Sequence, residues 1–176
     1  LKEYKKKNYI KNIGISLARD FYFDKKIMNQ FDYLQDEINL LRPKSINFLN
    51  SFTPKIMARS PLASGCLSGK LKKESRFEKS DYRSEWLSNK DRLKNILFQV
   101  NEISKVTGKN IRKFSKIFLL QSTKIDKVIF GIKSPSHVDE LVKDINNQKF
   151  ISTIKVKKII QLADLNFNLN PNKAGY

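Results

Sequence analysis

A single cysteine, Cys66, and a single histidine, His137, are all that 176 residues offer of either type. Cys66 has no second cysteine in the chain to pair with, and neither residue is numerous enough for a zinc-type cluster, so no metal site is expected. The start, Leu1-Lys2-Glu3-Tyr4-Lys5-Lys6-Lys7, has no apolar segment behind its charges, and no stretch approaches the roughly 18 uninterrupted apolar residues of a membrane span. Neither secretion nor membrane insertion is expected on these grounds, and a cytoplasmic location is. Acidic residues are also scarce, 17 against 35 Lys plus Arg, which leaves a net charge of +18 and a pI near 10.0. Apolar residues are not scarce: 40% of the chain is hydrophobic and 11% aromatic, enough to fill a core and to exclude disorder throughout.

The excess charge invites a nucleic-acid partner, because clustered cations release condensed counterions on meeting phosphate. The distribution argues the other way. Lys outnumbers Arg 28 to 7, whereas bidentate phosphate and base recognition favour Arg, and the cations recur along every segment instead of massing in one block. A solvated basic surface is the simpler account.

Hydrophobic periodicity divides the chain into alternating elements. Residues 11–16 form a short apolar run typical of a buried strand, and Asp20 to Asn29 suits a short helix capped by Asp20, with Phe21, Phe23, Ile27 and Met28 as its apolar positions. Residues 31–35 form a second strand. Ile46, Leu49 and Phe52 define a helix face over 42–52, ended by Pro54, and 55–59 is a third strand. From Ser60 to about Leu87 the pattern is lost in a loop far longer than most connections. Asp91 to Gly108 and 111–120 are amphipathic helices, 127–131 is a fourth strand, Ser134-Pro135 opens another helix, and 154–165 is a last one. Such alternation means a parallel sheet, either a small doubly wound one or half of an eight-stranded barrel, which needs about 250 residues when complete.

The most informative segment is Ala58-Arg59-Ser60-Pro61-Leu62-Ala63-Ser64-Gly65-Cys66-Leu67-Ser68-Gly69-Lys70, a strand end running into small residues, two glycines and a lysine. Small residues let backbone amides approach phosphate, and the lysine adds charge. The spacing matches neither a Walker loop nor a dinucleotide fingerprint. Together with Asn12-Ile13-Gly14-Ile15-Ser16, Phe31-Asp32-Tyr33-Leu34-Gln35 through Asn39-Leu40-Leu41, Asp81-Tyr82-Arg83, and Val128-Ile129-Phe130-Gly131 through Glu140, it closely resembles the second half of the aldo/keto reductases. These are NADP(H)-dependent oxidoreductases built on a (β/α)8 barrel. Order and spacing agree over about residues 1 to 145.

The resemblance implies an α/β fold, a parallel (β/α) half-barrel corresponding to the fifth through eighth strands of a TIM-type barrel. It makes residues 1–176 a single partial domain, with a cofactor loop at 60–90 and a C-terminal helix and tail at 150–176. By the same resemblance Ser16 and Gln35 would bond the nicotinamide carboxamide. Arg59, Ser60, Pro61, Leu62, Ala63, Ser64 and Lys70 would line the nicotinamide, its ribose and the pyrophosphate, with Arg83 or Arg76 as a further phosphate contact. Gly131, Lys133, Ser134, His137 and Glu140 would hold the adenosine end, where a helix N-terminus and a cation suit a 2′-phosphate. Three positions depart from the family pattern: Arg59 stands where many members place an aromatic stacked on the nicotinamide, His137 replaces a usual Gln, and Leu141 a usual Asn. The family's catalytic Asp, Tyr, Lys and His lie in the first half of the barrel, so no catalytic residue is assigned. The chain is expected to be a fragment, inactive alone, whose partners are the missing N-terminal half-barrel and a small carbonyl substrate. The alternative is a non-catalytic cofactor-binding or basic nucleic-acid-binding protein.

Overall fold

The computed structural model describes residues 1–17, 24–43, 46, 49, 51–108, 110–147 and 150–169. Four strands, β1 (Gly14–Ser16), β2 (Tyr33–Glu37), β3 (Lys55–Arg59) and β4 (Ile125–Ile129), form one sheet in the order β1-β2-β3-β4. Every neighbouring pair is parallel. Sequential order decides between the two architectures left open above. A doubly wound sheet reverses its strand order at a switch point, whereas right-handed crossovers that always advance by one strand put every helix on the same face. The sheet is therefore a half-barrel.

Burial follows that geometry. Leu34 and Asp36 on β2, and Ile56 and Ala58 on β3, are buried, while Tyr33, Gln35, Met57 and Arg59, which alternate with them, remain partly open on the other face. Against the buried face pack α4 (Lys90–Thr107), through Leu93, Ile96 and Ile103, and α5 (Ile111–Leu120), through Ile111, Phe114, Phe118 and Leu119. Shorter helices α1 (Lys2–Lys6), α2 (Lys25–Met28) and α3 (Ser84–Leu87), together with α6 (Pro135–Asn146) and α7 (Thr153–Asp164), complete the described elements. Caps set several starts: Asp24 accepts the N–H of Lys26 (2.7 Å), Asn89 that of Arg92 (3.0 Å) and Asn110 that of Lys113 (3.1 Å).

Several boundaries differ from the sequence pattern. The described second helix begins after Asp24; Asp20, Phe21 and Phe23 lie outside the described residues, as do 44–45, 47–48 and 50 of the 42–52 segment, in which Ile46 and Leu49 are helical. β2 is bounded at Tyr33, two residues later than the pattern, although Asp32 already bonds both neighbours through its backbone, donating to the Ile13 carbonyl (2.8 Å) and accepting from Lys55 N (2.9 Å); its carboxylate also accepts the Ile13 N–H (2.7 Å) and Lys5 Nζ (2.5 Å), tying α1 to the sheet. β4 begins at Ile125 rather than 127, with an irregularity in its register opposite Ile56 and Met57. The long helix starts at Lys90 behind Asn89, not at Asp91, and residues 170–176 of the tail are outside the described part.

Lys116 on α5 is almost fully buried, and its ammonium meets Asp144 of α6 at 2.6 Å. Removing the carboxylate strands that charge. Asp144→Asn should lower stability by about 2 kcal/mol in urea unfolding, less than the roughly 3–5 kcal/mol of a fully buried pair because Asp144 is a quarter exposed. The joint change Lys116→Met with Asp144→Leu should recover most of it. Among the described residues β1 and β4 are sheet edges, and Ile129, Ile132, Val138 and Val142 beside β4 are exposed. The chain should self-associate in light scattering, more so as salt screens its +18 charge; a monodisperse, cooperatively melting monomer would contradict this.

Candidate functional site

Parallel strands end on one rim, and the sequence-predicted residues collect there. Ser16 and Gln35 are register partners at the end of β1 and in β2, and the Ser16 hydroxyl donates to Gln35 Oε1 at 3.1 Å. Gln35 Nε2 in turn lies 3.6 Å from Met57 Sδ. Arg59, the last residue of β3, sends Nη2 to the Leu17 carbonyl (3.3 Å) and places Nη1 3.7 Å from Glu37 Oε2. Gly14 permits the close approach of β1 and β2, since a Cβ there would sit 3.2 Å from Tyr33.

Beyond Arg59 the backbone is held in an uncommon conformation. Ser60, Ala63 and Ser64 have φ of 57°, 49° and 55°, and Gly65 and Gly69 follow at 93° and 76°. Left-handed non-glycine residues cost on the order of 1 kcal/mol or more each and persist where surrounding structure over-determines them. Here the surroundings are identifiable. Ala63 is buried within a kinked 3-10 segment, Ala63–Ser68, and the buried Asn39 donates from Nδ2 to the Ser60 carbonyl (3.2 Å) while its Oδ1 accepts from Leu41 N (3.0 Å) and Arg42 N (3.2 Å). Asn39 thus clamps the β2 loop to the β3 loop. The segment expected to be patternless is therefore partly ordered.

Arg83 lies against this turn. Gly65 suits this position by its positive φ, and a Cβ there would stand 3.3 Å from Arg83 Nη1, so the guanidinium would have to give by a few tenths of an ångström. Asp81 fixes Arg83 through Nε (2.9 Å to Oδ1) and Nη2, and the Phe77 ring lies 4.5 Å beneath. The paired guanidinium pushes the Asp81 carboxyl down to about 2, with Lys133 adding a weaker pull. Arg76 instead bonds its neighbour Ser75 (3.2 Å to the carbonyl), and Lys70 is exposed after Gly69. Trp86 packs on the core and Tyr82 is exposed. Burial pushes the Cys66 thiol up to about 12, which makes it an inert packing residue.

At the end of β4, Ser134 precedes α6 with Pro135 in its first turn, but the Ser134 hydroxyl pairs with Ser136 Oγ (2.8 Å) instead of capping. His137 Nδ1 accepts the Lys133 N–H (3.3 Å), which folds the imidazole over the helix N-terminus. Gly131 has open space where a Cβ would stand. Glu140 is ion-paired with Arg112 of α5, and that guanidinium holds its carboxyl below the usual range. Glu37 and Arg112 have no part in the sequence reading, and Asn39 enters it only within the segment through Asn39-Leu40-Leu41, with no role of its own. Their signal was polar residues inside otherwise apolar runs, visible for Asn39 between Ile38 and Leu40.

Three groups are thus assembled on one rim: Ser16, Gln35 and Arg59; the left-handed turn 60–65 with Arg83; and Gly131 through His137. Among the described residues no cluster of His, Cys, Asp and Glu could hold a metal ion, and no helix is long and apolar enough to cross a membrane.

No protein-family model and no curated protein matches the sequence. Solved structures do match. The glycerol dehydrogenase AKR11B4 from Gluconobacter oxydans superposes with a TM-score of 0.70 at 19% identity, over 92% of this chain and 52% of that one. The holo form of the aldo-keto reductase AKR11C1 from Bacillus halodurans gives 0.63 at 18%, over 92% and 53%. The thermostable aldo-keto reductase Tm1743, in complex with the inhibitor epalrestat, gives 0.53 at 17%, over 92% and 52%. The chain spans about half the length of each. With four parallel strands in sequential order and this coverage, its fold is that of one half of an aldo-keto reductase barrel.

Proposed function

We propose that this chain is the NADP(H)-binding half of an aldo/keto reductase-type oxidoreductase that reduces a carbonyl substrate. The observation that carries the proposal is the convergence, on the rim where barrel enzymes place their sites, of the Ser16–Gln35 pair, the left-handed turn after β3 and the helix N-terminus after β4. Ser16 and Gln35 offer a hydroxyl and an amide to a carboxamide. Ser60 to Ser64, with Arg83 and Lys70, offer close backbone and positive charge to a ribose and a pyrophosphate. Lys133, Ser134 and His137 offer a cation and a helix N-terminus to an adenosine 2′-phosphate, and Gly131 and Glu140, the latter held by Arg112, flank the adenosine.

The residues present fit such a group. The Ser134 hydroxyl is not consumed in capping its own helix, and Lys133 stands immediately before that helix's N-terminus, its N–H held by His137. The nicotinamide, when bound, supplies the hydride; this chain's residues bind and orient it. A second half-barrel would complete the wall, shape the carbonyl pocket and supply the proton donor. Among the described tyrosines, Tyr33 opens β2 at the end opposite the rim, Tyr4 and Tyr9 lie at α1 with ring centroids 6.0 Å apart, and Tyr82 is exposed in the loop.

Because every proposed cofactor contact comes from this chain, the purified chain should bind NADPH, and more tightly than NADH, in a fluorescence titration. Lys133→Ala should narrow the gap by about tenfold if its ammonium meets the 2′-phosphate. Equal affinities for the two cofactors before mutation would overturn the assignment. The same chain should show no carbonyl-dependent oxidation of NADPH, since a positioned general acid contributes roughly a hundred- to ten-thousand-fold. Turnover of a simple aldehyde by the chain alone would mean that it contains its own proton donor.

A further inference from the structure

The Arg59 guanidinium is a fixed cation, and its position is specific. It starts from the end of β3, passes the end of β2, where Glu37 is its register partner, and reaches the carbonyl of Leu17, one residue past β1. It therefore spans the rim over the Ser16–Gln35 pair, the two groups assigned above to the nicotinamide carboxamide. Its anchors hold it there. The Leu17 carbonyl accepts at 3.3 Å, and Glu37, with only 8% of its side chain exposed, stands 3.7 Å away and receives Asn39 Nδ2 at 3.4 Å. Arg59 keeps 30% of its side chain exposed against 8% for Glu37, so a ligand on the rim meets the guanidinium before the carboxylate that offsets its field.

We propose that Arg59 makes this site select the reduced nicotinamide ring over the oxidised one, an inference that rests on the cofactor reading above. The reduced ring is neutral and the oxidised ring carries a positive charge. A fixed guanidinium beside the ring repels only the oxidised form, and partial burial on the rim strengthens that repulsion relative to water. An aromatic residue in the same place would act with the opposite sign, because the negative face of its ring attracts a cation. The identity of one residue at the end of β3 thus sets which redox state the site prefers. The bound couple is held toward its reduced form, and the oxidised cofactor leaves readily.

The test titrates the full chain at constant ionic strength with NADPH, with NADP⁺ and with 2′-phospho-ADP-ribose, which shares their adenosine end and lacks the ring. NADPH should bind roughly tenfold or more tightly than NADP⁺. Arg59→Lys should keep most of that ratio, Arg59→Met should bring it near one, and Arg59→Tyr should reverse it. Glu37→Gln, which removes the offsetting charge, should widen it. Affinity for 2′-phospho-ADP-ribose is the ring-free reference through the Arg59 series: a general loss of cation–phosphate attraction lowers all three probes together and leaves the NADPH to NADP⁺ ratio to report the ring, with circular dichroism confirming that each variant is folded. Should Arg59→Met fail to fold, the Lys and Tyr variants still separate charge from shape. Two results overturn this inference alone while 2′-phospho-ADP-ribose still binds: a ratio near one in the unmodified chain, or a ratio that Arg59→Tyr leaves unmoved. Failure of all three probes to bind overturns the cofactor reading and this inference with it.

Discussion

The parallel register of four consecutive strands is the constraint on which everything else depends. A strand that pairs in parallel with its predecessor must be reached by a crossover, and right-handed crossovers that advance one strand at a time stack their helices on a single face. One face of the sheet then becomes the hydrophobic core, with Leu34, Ile56 and Ala58 under α4 and α5. The opposite face and the shared rim are left to polar residues. Ser16, Gln35, Glu37 and Arg59 stand together not because they are near in sequence but because the parallel register sets Ser16 beside Gln35 and Glu37 beside Arg59.

The rim is shaped by conformational strain as much as by side chains. Ser60, Ala63 and Ser64 adopt left-handed backbone that a bulky or branched residue would resist, and Asn39 holds the turn from a neighbouring loop. A composition of serine, alanine and glycine makes that conformation accessible, and the clamp makes it unique. Arg83, positioned by Asp81 and the Phe77 ring, then joins the long loop to the same turn. The electrostatics follow: a basic chain gathers a few carboxylates, Glu37, Asp81 and Glu140, each beside one arginine.

Much of the fold was legible from periodicity because the relevant contacts are local. β3 matched residue for residue, and α5 followed from Ile111, Phe114, Ile117 and Phe118 recurring along one face. Boundaries failed where a tertiary bond overrode the local pattern. At β2 the backbone of Asp32 already bonds both neighbouring strands, and its carboxylate adds Ile13 and Lys5, contacts from α1 and β1 that no local pattern records. At β4 the polar start, Lys124 and Asp126 around Ile125, hid the first strand residues that the irregular register recruits.

The sequence by itself determined the alternation of strands and helices, the apolar faces that form the core, and the small-residue segment after β3, since all of these are properties of spacing and residue size. The tertiary structure decided which charges meet. Arg59 and Glu37 lie far apart along the chain, as do Arg112 and Glu140, and Lys116 and Asp144, and no local rule pairs them. Only strand register and helix packing bring their side chains within reach, because Coulombic partners are selected by distance in space while periodicity records only distance along the chain.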